Sequence, residues 1–119
     1  MTKMEKKHFN WQQFQDSVYV LTKLIAKDKI TYDGIYAVPR GGLVLGVALS
    51  HRLGLPLLLW PTKNSLVVDD ISDSGKTLEN INNKKIATLH YKIGSLVEPD
   101  YYVHELKRNS NWVDYPWEV

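Results

Sequence analysis

Segments whose apolar residues are spaced as in a helix alternate along this 119-residue chain with short apolar runs typical of buried strands. This alternation limits the fold more than any other feature. From Trp11 to Ile25 they recur every three or four residues, which predicts a helix that begins after the N-cap Asn10 and ends near Lys27. Further helices are expected at 43–53 and 77–82. Short apolar runs that predict buried strands lie at 35–38, 57–60, 66–70, 85–92 and 101–106. This order predicts a single α/β domain over 1–119, with a mostly parallel five-stranded sheet flanked by helices.

Composition and charge narrow the class of protein. Charged residues make up 24% of the chain and the formal net charge is +2, which is too small for a protein whose main partner is nucleic acid. The apolar runs are too short to cross a bilayer. Because the chain has no cysteine, disulfides and thiolate metal sites are excluded. We therefore expect a cytoplasmic protein without a nucleic-acid or membrane partner, whose residues 1–8 are loosely packed or disordered.

Two adjacent carboxylates, Asp69 and Asp70, end the apolar run at 66–70. A fully buried pair of charges would be very costly, so this strand is expected to emerge there into a cleft, where open α/β sheets bind ligands. The turn at 72–77 is mostly small and hydroxylated, and it leads into a predicted helix. Such a turn exposes backbone N–H groups near the positive end of a helix, which favours phosphate binding. The segment therefore predicts a phosphate cradle beside carboxylates suited to sugar hydroxyls or Mg²⁺.

A nucleoside-triphosphate-binding loop is a rival interpretation of Gly75-Lys76-Thr77. That motif requires a glycine five residues earlier, and position 70 is Asp. A carboxylate there would repel the phosphates, so the rival is rejected.

A second turn, Pro39-Arg40-Gly41-Gly42, follows the strand at 35–38. Its glycines let the backbone approach a ligand closely, and Arg40 offers bidentate geometry to phosphate oxygens. Taken alone, the turn is equally compatible with an ordinary strand-to-helix connection.

Together the two turns resemble those of the type I phosphoribosyltransferase family. The run 67–77 resembles the family signature for phosphoribosyl pyrophosphate (PRPP) and departs from it at Lys76, while 37–43 resembles the pyrophosphate loop. Lys92 and the segment 112–118 resemble the bacterial xanthine-guanine branch. The resemblance extends from about Asn10 to the end of the chain.

The resemblance implies roles on the sugar-phosphate side. Asp69 and Asp70 would hold the ribose hydroxyls, and Asp70 would bind Mg²⁺ partly through water. Asp73 would be the general acid or base at purine N7. The residues implied for pyrophosphate are Arg40, Gly41 and Gly42. The residues implied for the 5′-phosphate are Asp73, Ser74, Gly75, Lys76 and Thr77.

On the base side, the resemblance implies that Lys92 donates to the purine 6-oxygen. Trp112 would stack on the purine, and the Val113 carbonyl would accept from an exocyclic amine, so that 107–119 forms a purine-side tail. Trp117 is expected to pack against the sheet instead. The four histidines, at 8, 51, 90 and 104, show no ligand spacing and are expected at the surface or in packing roles.

The expected function is transfer of the phosphoribosyl group of PRPP to guanine, xanthine or hypoxanthine, with Mg²⁺, in purine salvage. Related enzymes insert a long mobile loop between the second and third strands, whereas here only 61–64 connect them. Four residues cannot build a lid that excludes water. Either another subunit of a homo-oligomer (dimer or tetramer) covers the site, or the enzyme is slow, or the chain is a non-catalytic PRPP- or nucleotide-binding regulatory module. A pyrimidine or other acceptor and a flavodoxin-like binding module also remain open.

Overall fold

The first helix forms as the sequence predicts and covers one face of the sheet. In the computed structural model, which describes residues 7–81, 85–110 and 112–118, α1 spans Trp11–Lys27. The Asn10 side chain accepts from the Gln13 N–H, and the Gln13 side chain accepts from the Asn10 N–H, each at 2.8 Å. The buried side chains of α1 are Phe14, Ser17, Val18, Leu21 and Ile25. Their helical spacing explains why one face of α1 joins the core.

The central sheet has four parallel strands, and their spatial order is that of the chain. The strands are β2 (Ile35–Ala37), β3 (Leu66–Ser72), β4 (Lys85–Lys92) and β5 (Tyr101–Leu106). α2 (Leu43–Leu53) lies between β2 and β3, and α3 (Lys76–Glu79) lies between β3 and β4. Because all four strands run the same way, their carboxyl ends meet at one edge, where ligands bind in such sheets.

The helices after α1 agree with the sequence in position. α2 has the predicted bounds and ends at Gly54, which adopts the left-handed conformation expected of a C-cap glycine (φ 67°). α3 is one residue ahead of the predicted start and shorter than predicted, and position 82 lies outside the described residues. Within the described ranges no helix has both the length and the hydropathy needed to span a bilayer.

The predicted strand at 57–60 is reduced to an isolated parallel bridge between Leu57 and Ile35, so the central sheet has four strands rather than five. Prolines at 56 and 61 flank the run, which limits the N–H donors available to extend a ladder. Leu59 and Trp60 are 85% and 67% exposed. The short connection then returns to the amino end of the sheet, where the Asp33 N–H donates to the Asn64 carbonyl at 3.0 Å.

A small second sheet, which the sequence did not predict, joins the two ends of the described chain. β1 (Lys7–His8) pairs in parallel with β6 (Val113–Asp114). The Lys7 N–H donates to the Trp112 carbonyl at 2.9 Å, and the Phe9 N–H donates to the Asp114 carbonyl at 3.0 Å. Residues 7 and 8 are thus hydrogen-bonded in a strand although their side chains stay exposed, and 1–6 lie outside the described residues. This pairing fixes the backbone of the tail.

Candidate active site

A cavity of about 370 Å³ opens at the carboxyl edge of the central sheet. It is formed by the ends of β3, β4 and β5 and by the C-terminal tail. Its lining residues are Asp70, Ile71, Asp73, Lys92, Leu106, Ser110, Trp112, Val113, Tyr115 and Glu118. Five of these were predicted from the sequence, namely Asp70, Asp73, Lys92, Trp112 and Val113. The structure therefore brings residues predicted for the sugar and residues predicted for the base into one cavity.

The acid pair lies near the carboxyl end of β3, which continues two residues beyond the predicted end at 70, to the buried Ser72. The Asp70 N–H donates to Asp69 Oδ1 at 2.8 Å. Burial, followed by the charge of Asp70, raises the pKa of Asp69, and burial also raises the pKa of Asp70. Two partly buried carboxyls with raised pKa values indicate a site that is incomplete without a positive charge.

These carboxyls fit Mg²⁺, which prefers oxygen ligands and keeps several waters. Among the described residues no group of three or more His, Cys, Asp or Glu side chains could hold a metal by itself. Most of a magnesium shell would therefore consist of water and oxygens of a bound ligand, and Asp70, the member of the acid pair that lines the cavity, would be the protein contribution.

The Arg40-Gly41-Gly42 turn packs directly against the acid pair, after a cis peptide between Pro39 and Arg40. A Cβ on Gly41 would lie 2.5 Å from Asp70 Oδ2, and a Cβ on Gly42 would lie 2.5 Å from the Val68 carbonyl oxygen, so a larger residue would clash at either position. The Gly42 N–H donates to the Val38 carbonyl at 2.8 Å, which leaves the Gly41 amide as the more available of the two predicted donors.

Arg40 and Gly41 line a second cavity, of about 710 Å³, rather than the first. Glu118, which the sequence reasoning did not assign, borders both cavities. Arg40 and Gly41 thus line a different cavity from the predicted base residues.

The turn at 73–75 holds its shape through Gly75 and the segment 95–97. Gly75 has φ 83°, and a Cβ there would lie 2.6 Å from Ser95 Oγ and 2.7 Å from the Leu96 nitrogen. The Leu96 N–H donates to the Ser74 carbonyl at 2.9 Å. Of the five residues predicted for the 5′-phosphate, only Asp73 lines the 370 Å³ cavity. The others lie at the start of α3, whose first N–H groups have no intrahelical partner.

On the base side, Lys92 and Asp73 form an ion pair, with Nζ 3.4 Å from Oδ1. Trp112 is 60% exposed and leaves ring surface open to a ligand. The carbonyls of Trp112 and Asp114 accept from the N–H groups of Lys7 and Phe9, so the Val113 carbonyl between them faces away from β1. The pairing with β1 therefore does not use the Val113 carbonyl, which was predicted to accept a hydrogen bond from an exocyclic amine.

The sequence did not single out Tyr115. Its hydroxyl lies 2.9 Å from His90 Nδ1 and 3.3 Å from the Asp70 carbonyl. In the sequence, Tyr115 looked like one more aromatic residue in a tail rich in them, and only its position within the 112–118 motif could have singled it out. Trp117 takes a packing role as expected, but against the tail and α1: it stacks on Tyr115 with ring centroids 4.8 Å apart and meets Phe14 edge-on at 5.3 Å.

Two histidines also take the expected packing roles. His90 is 6% exposed and stacks on His104 with ring centroids 4.9 Å apart. Burial, followed by the nearby His104, lowers the pKa of His90 to about 3, so its imidazole is neutral at physiological pH.

Known proteins share this architecture over nearly the whole chain, although no protein-family model matches it. A purine phosphoribosyltransferase from Pyrococcus horikoshii Ot3 has 33% sequence identity and a TM-score of 0.82, and the match covers 98% of this chain and 96% of that one. The Helicobacter pylori xanthine-guanine-hypoxanthine phosphoribosyltransferase has 26% identity and a TM-score of 0.81, over 98% and 95% of the two chains.

Curated sequences agree with the solved structures. A xanthine-guanine phosphoribosyltransferase of Desulfotalea psychrophila is 26% identical over 92% of this chain and 84% of its own length. The structural relative at 33% identity is matched almost end to end, and here the acid pair and the Arg-Gly-Gly turn meet at the carboxyl edge of the sheet. The chain belongs to the type I phosphoribosyltransferase family.

Proposed function

We propose that this phosphoribosyltransferase transfers the phosphoribosyl group of PRPP to a 6-oxopurine (guanine, xanthine or hypoxanthine) and releases pyrophosphate, as in purine salvage. The observation that carries the proposal is the single cavity of about 370 Å³ that holds Asp70, Asp73, Lys92 and Trp112 together. Carboxylates suited to a ribose thus face a cation and an aromatic ring suited to a base. The names of the relatives support a purine as the acceptor.

On the sugar side, the reaction develops positive charge on the ribose ring and negative charge on the departing pyrophosphate, so the protein acts mainly through electrostatics. Asp69 and Asp70 hold the ribose hydroxyls, and Asp70 would hold Mg²⁺ partly through water. When bound, Mg²⁺ would supply positive charge near the pyrophosphate. Arg40 and the Gly41 amide stabilise the leaving group, and the turn at 74–77 holds the 5′-phosphate.

On the base side, a 6-oxopurine presents O6 and N7 along one edge. Lys92 donates to O6, and Asp73, 3.4 Å from Lys92 before the base binds, faces N7 and accepts its proton as the new bond forms. Trp112 stacks on the base, and the Val113 carbonyl accepts from an exocyclic amine. The Lys92–Asp73 pair supports this assignment because both groups can reach the same purine edge.

We propose further that a second copy of the chain covers the site in a homo-oligomer (a dimer or tetramer) and that the protein is cytoplasmic. Support for the first point is the short connection at 61–64 and the neighbouring exposed side chains of Leu59 and Trp60. Support for the second is a cysteine-free sequence, which fits a reducing compartment. Light scattering at micromolar concentration tests the oligomer, and a monomer would contradict it.

The function is tested by incubating the protein with PRPP, Mg²⁺ and each base in turn and measuring both pyrophosphate and nucleotide. Asp73→Asn should lower kcat by about 100-fold or more, because the N7 proton loses its acceptor, while PRPP binding is retained. Asp16→Asn, on the exposed face of α1, is the matched control and should leave kcat unchanged. PRPP binding without turnover for any base would reject the transfer reaction and favour a regulatory binding module.

A further inference from the structure

The hydroxyl of Tyr115 connects three segments that form the cavity. Tyr115 follows Val113 of the tail by two residues, and its hydroxyl donates to the Asp70 carbonyl at the end of β3 (3.3 Å). The same oxygen lies 2.9 Å from Nδ1 of His90, which precedes Lys92 by two residues on β4. The ring is 4% exposed and stacked on Trp117, so the hydroxyl has little freedom to move.

Because the phenol has a single proton, the directions of these two hydrogen bonds are linked. A phenol has one proton, and the Asp70 carbonyl can only accept. When Tyr115 donates to that carbonyl, His90 must carry its hydrogen on Nδ1 and donate to the Tyr115 oxygen. Burial keeps His90 neutral and, with the charge of Asp70, raises the pKa of Tyr115, so neither group changes protonation near pH 7.

The two reactants are held by different segments. Trp112 and Val113 of the tail face the base, whereas Asp69 and Asp70 at the end of β3 face the ribose. Transfer requires the attacking nitrogen and the ribose carbon to approach to about 3–3.5 Å. Within the described parts of the chain, the bond from Tyr115 to Asp70 is the side-chain hydrogen bond that joins the tail to β3.

We propose that Tyr115 is a positioning residue: its hydroxyl, held by His90, sets the distance between the base-binding tail and the ribose-binding end of β3. The inference rests on the proposed function and adds a residue to it. It does not make Tyr115 a catalytic residue, since the hydroxyl is committed to protein atoms on both sides.

The test is Tyr115→Phe, which keeps the ring and removes both hydrogen bonds. We expect kcat to fall about 10- to 100-fold while the Kd for PRPP stays within about 2-fold, because only the alignment of the two reactants is lost. A purine nucleoside monophosphate, which spans both halves of the site, should bind about 10-fold more weakly to the variant.

The matched control is Tyr32→Phe. Tyr32 is 7% exposed, and its hydroxyl lies 2.8 Å from that of Tyr101 at the opposite, amino end of the sheet. This variant should lose thermal stability to a similar extent but keep the kcat and nucleotide affinity of the wild type. If the two variants behave alike in kcat and in nucleotide affinity, Tyr115 is merely structural and the proposal is rejected.

Variants of His90 provide a second test. His90→Asn places an amide nitrogen near the position of Nδ1 and should retain activity, whereas His90→Leu should reproduce the kinetic defect of Tyr115→Phe. Equal activity of these two variants would contradict the proposal. A wild-type protein that binds nucleotide but never turns over would instead reject the proposed function, and nucleotide affinity would still decide the role of Tyr115.

Discussion

Replacing Asp69 by asparagine should make the folded protein more stable, and increasingly so as the pH rises. Burial, followed by the charge of Asp70, raises the pKa of Asp69 from 3.8 to about 8. The folded protein therefore retains a proton that the unfolded chain releases above its ordinary carboxyl pKa. The free energy of unfolding should fall as pH rises from about 4 through about 8, and Asp69→Asn should lack this contribution.

The magnitude follows from linkage. One proton retained by the folded state lowers the free energy of unfolding by about 1.4 kcal/mol per pH unit. Between pH 5 and pH 7 the wild type should therefore lose up to about 2.7 kcal/mol relative to Asp69→Asn. Because Asp69 and Asp70 keep some solvent contact, local relaxation reduces this cost, and we expect about 1–2.5 kcal/mol.

Urea unfolding at pH 5, 6 and 7 in the presence of a chelator measures the effect. Asp16→Asn, which removes an exposed carboxylate on α1, is the control and should differ from the wild type by a nearly constant amount. Asp69→Asn should diverge from both as the pH rises. If the free energy of unfolding of Asp69→Asn ran parallel to that of the wild type across this pH range, the pKa of Asp69 would not be raised in the folded protein.

Three further substitutions test the two glycine-containing turns and the stacking of the base on Trp112. Gly41→Ala places a Cβ 2.5 Å from Asp70 Oδ2 and should weaken PRPP binding at least about 10-fold by calorimetry; unchanged affinity would contradict the close packing. Gly75→Ala, at φ 83°, should lower the free energy of unfolding by about 1–3 kcal/mol in urea, and a neutral effect would refute the strain argument. Trp112→Ala should raise the KM for the base about 10-fold in steady-state kinetics without changing the affinity for PRPP. An equal loss of affinity for the base and for PRPP would argue against stacking.

Local signals predicted most of the fold correctly. The capping box at Asn10 and Gln13 and the apolar spacing after them act within a few residues, so α1 appears with the predicted bounds. The acid pair was interpretable for the same reason. Two adjacent carboxylates near the end of a buried strand are expected at the edge of the sheet, because a pair of charges deeper in the core would be very costly.

Features that depend on distant residues could not be predicted in this way. The run at 57–60 has strand composition, but a strand needs a neighbour along its length, and only Leu57 pairs with Ile35. The β1–β6 pairing joins residues 106 positions apart, and the Tyr115–Asp70 bond joins residues 45 positions apart. Such contacts are decided by tertiary packing, on which local spacing carries no information.

In the proposed reaction, exclusion of water has to be explained without a lid between β2 and β3, where related enzymes carry one. The connection at 61–64 is anchored at the amino end of the sheet, opposite the acid pair, so it cannot fold over the ribose. A base stacked on Trp112 would itself cover the 370 Å³ cavity, whereas the cavity at Arg40 and Gly41 stays open on the pyrophosphate side until the proposed second copy of the chain covers it. Water entering there would compete with the base for the ribose carbon. In the proposed mechanism the base must therefore be aligned with the ribose carbon before the leaving group departs, and a tail that is hydrogen-bonded to β1 and to Asp70 would align it without a moving loop.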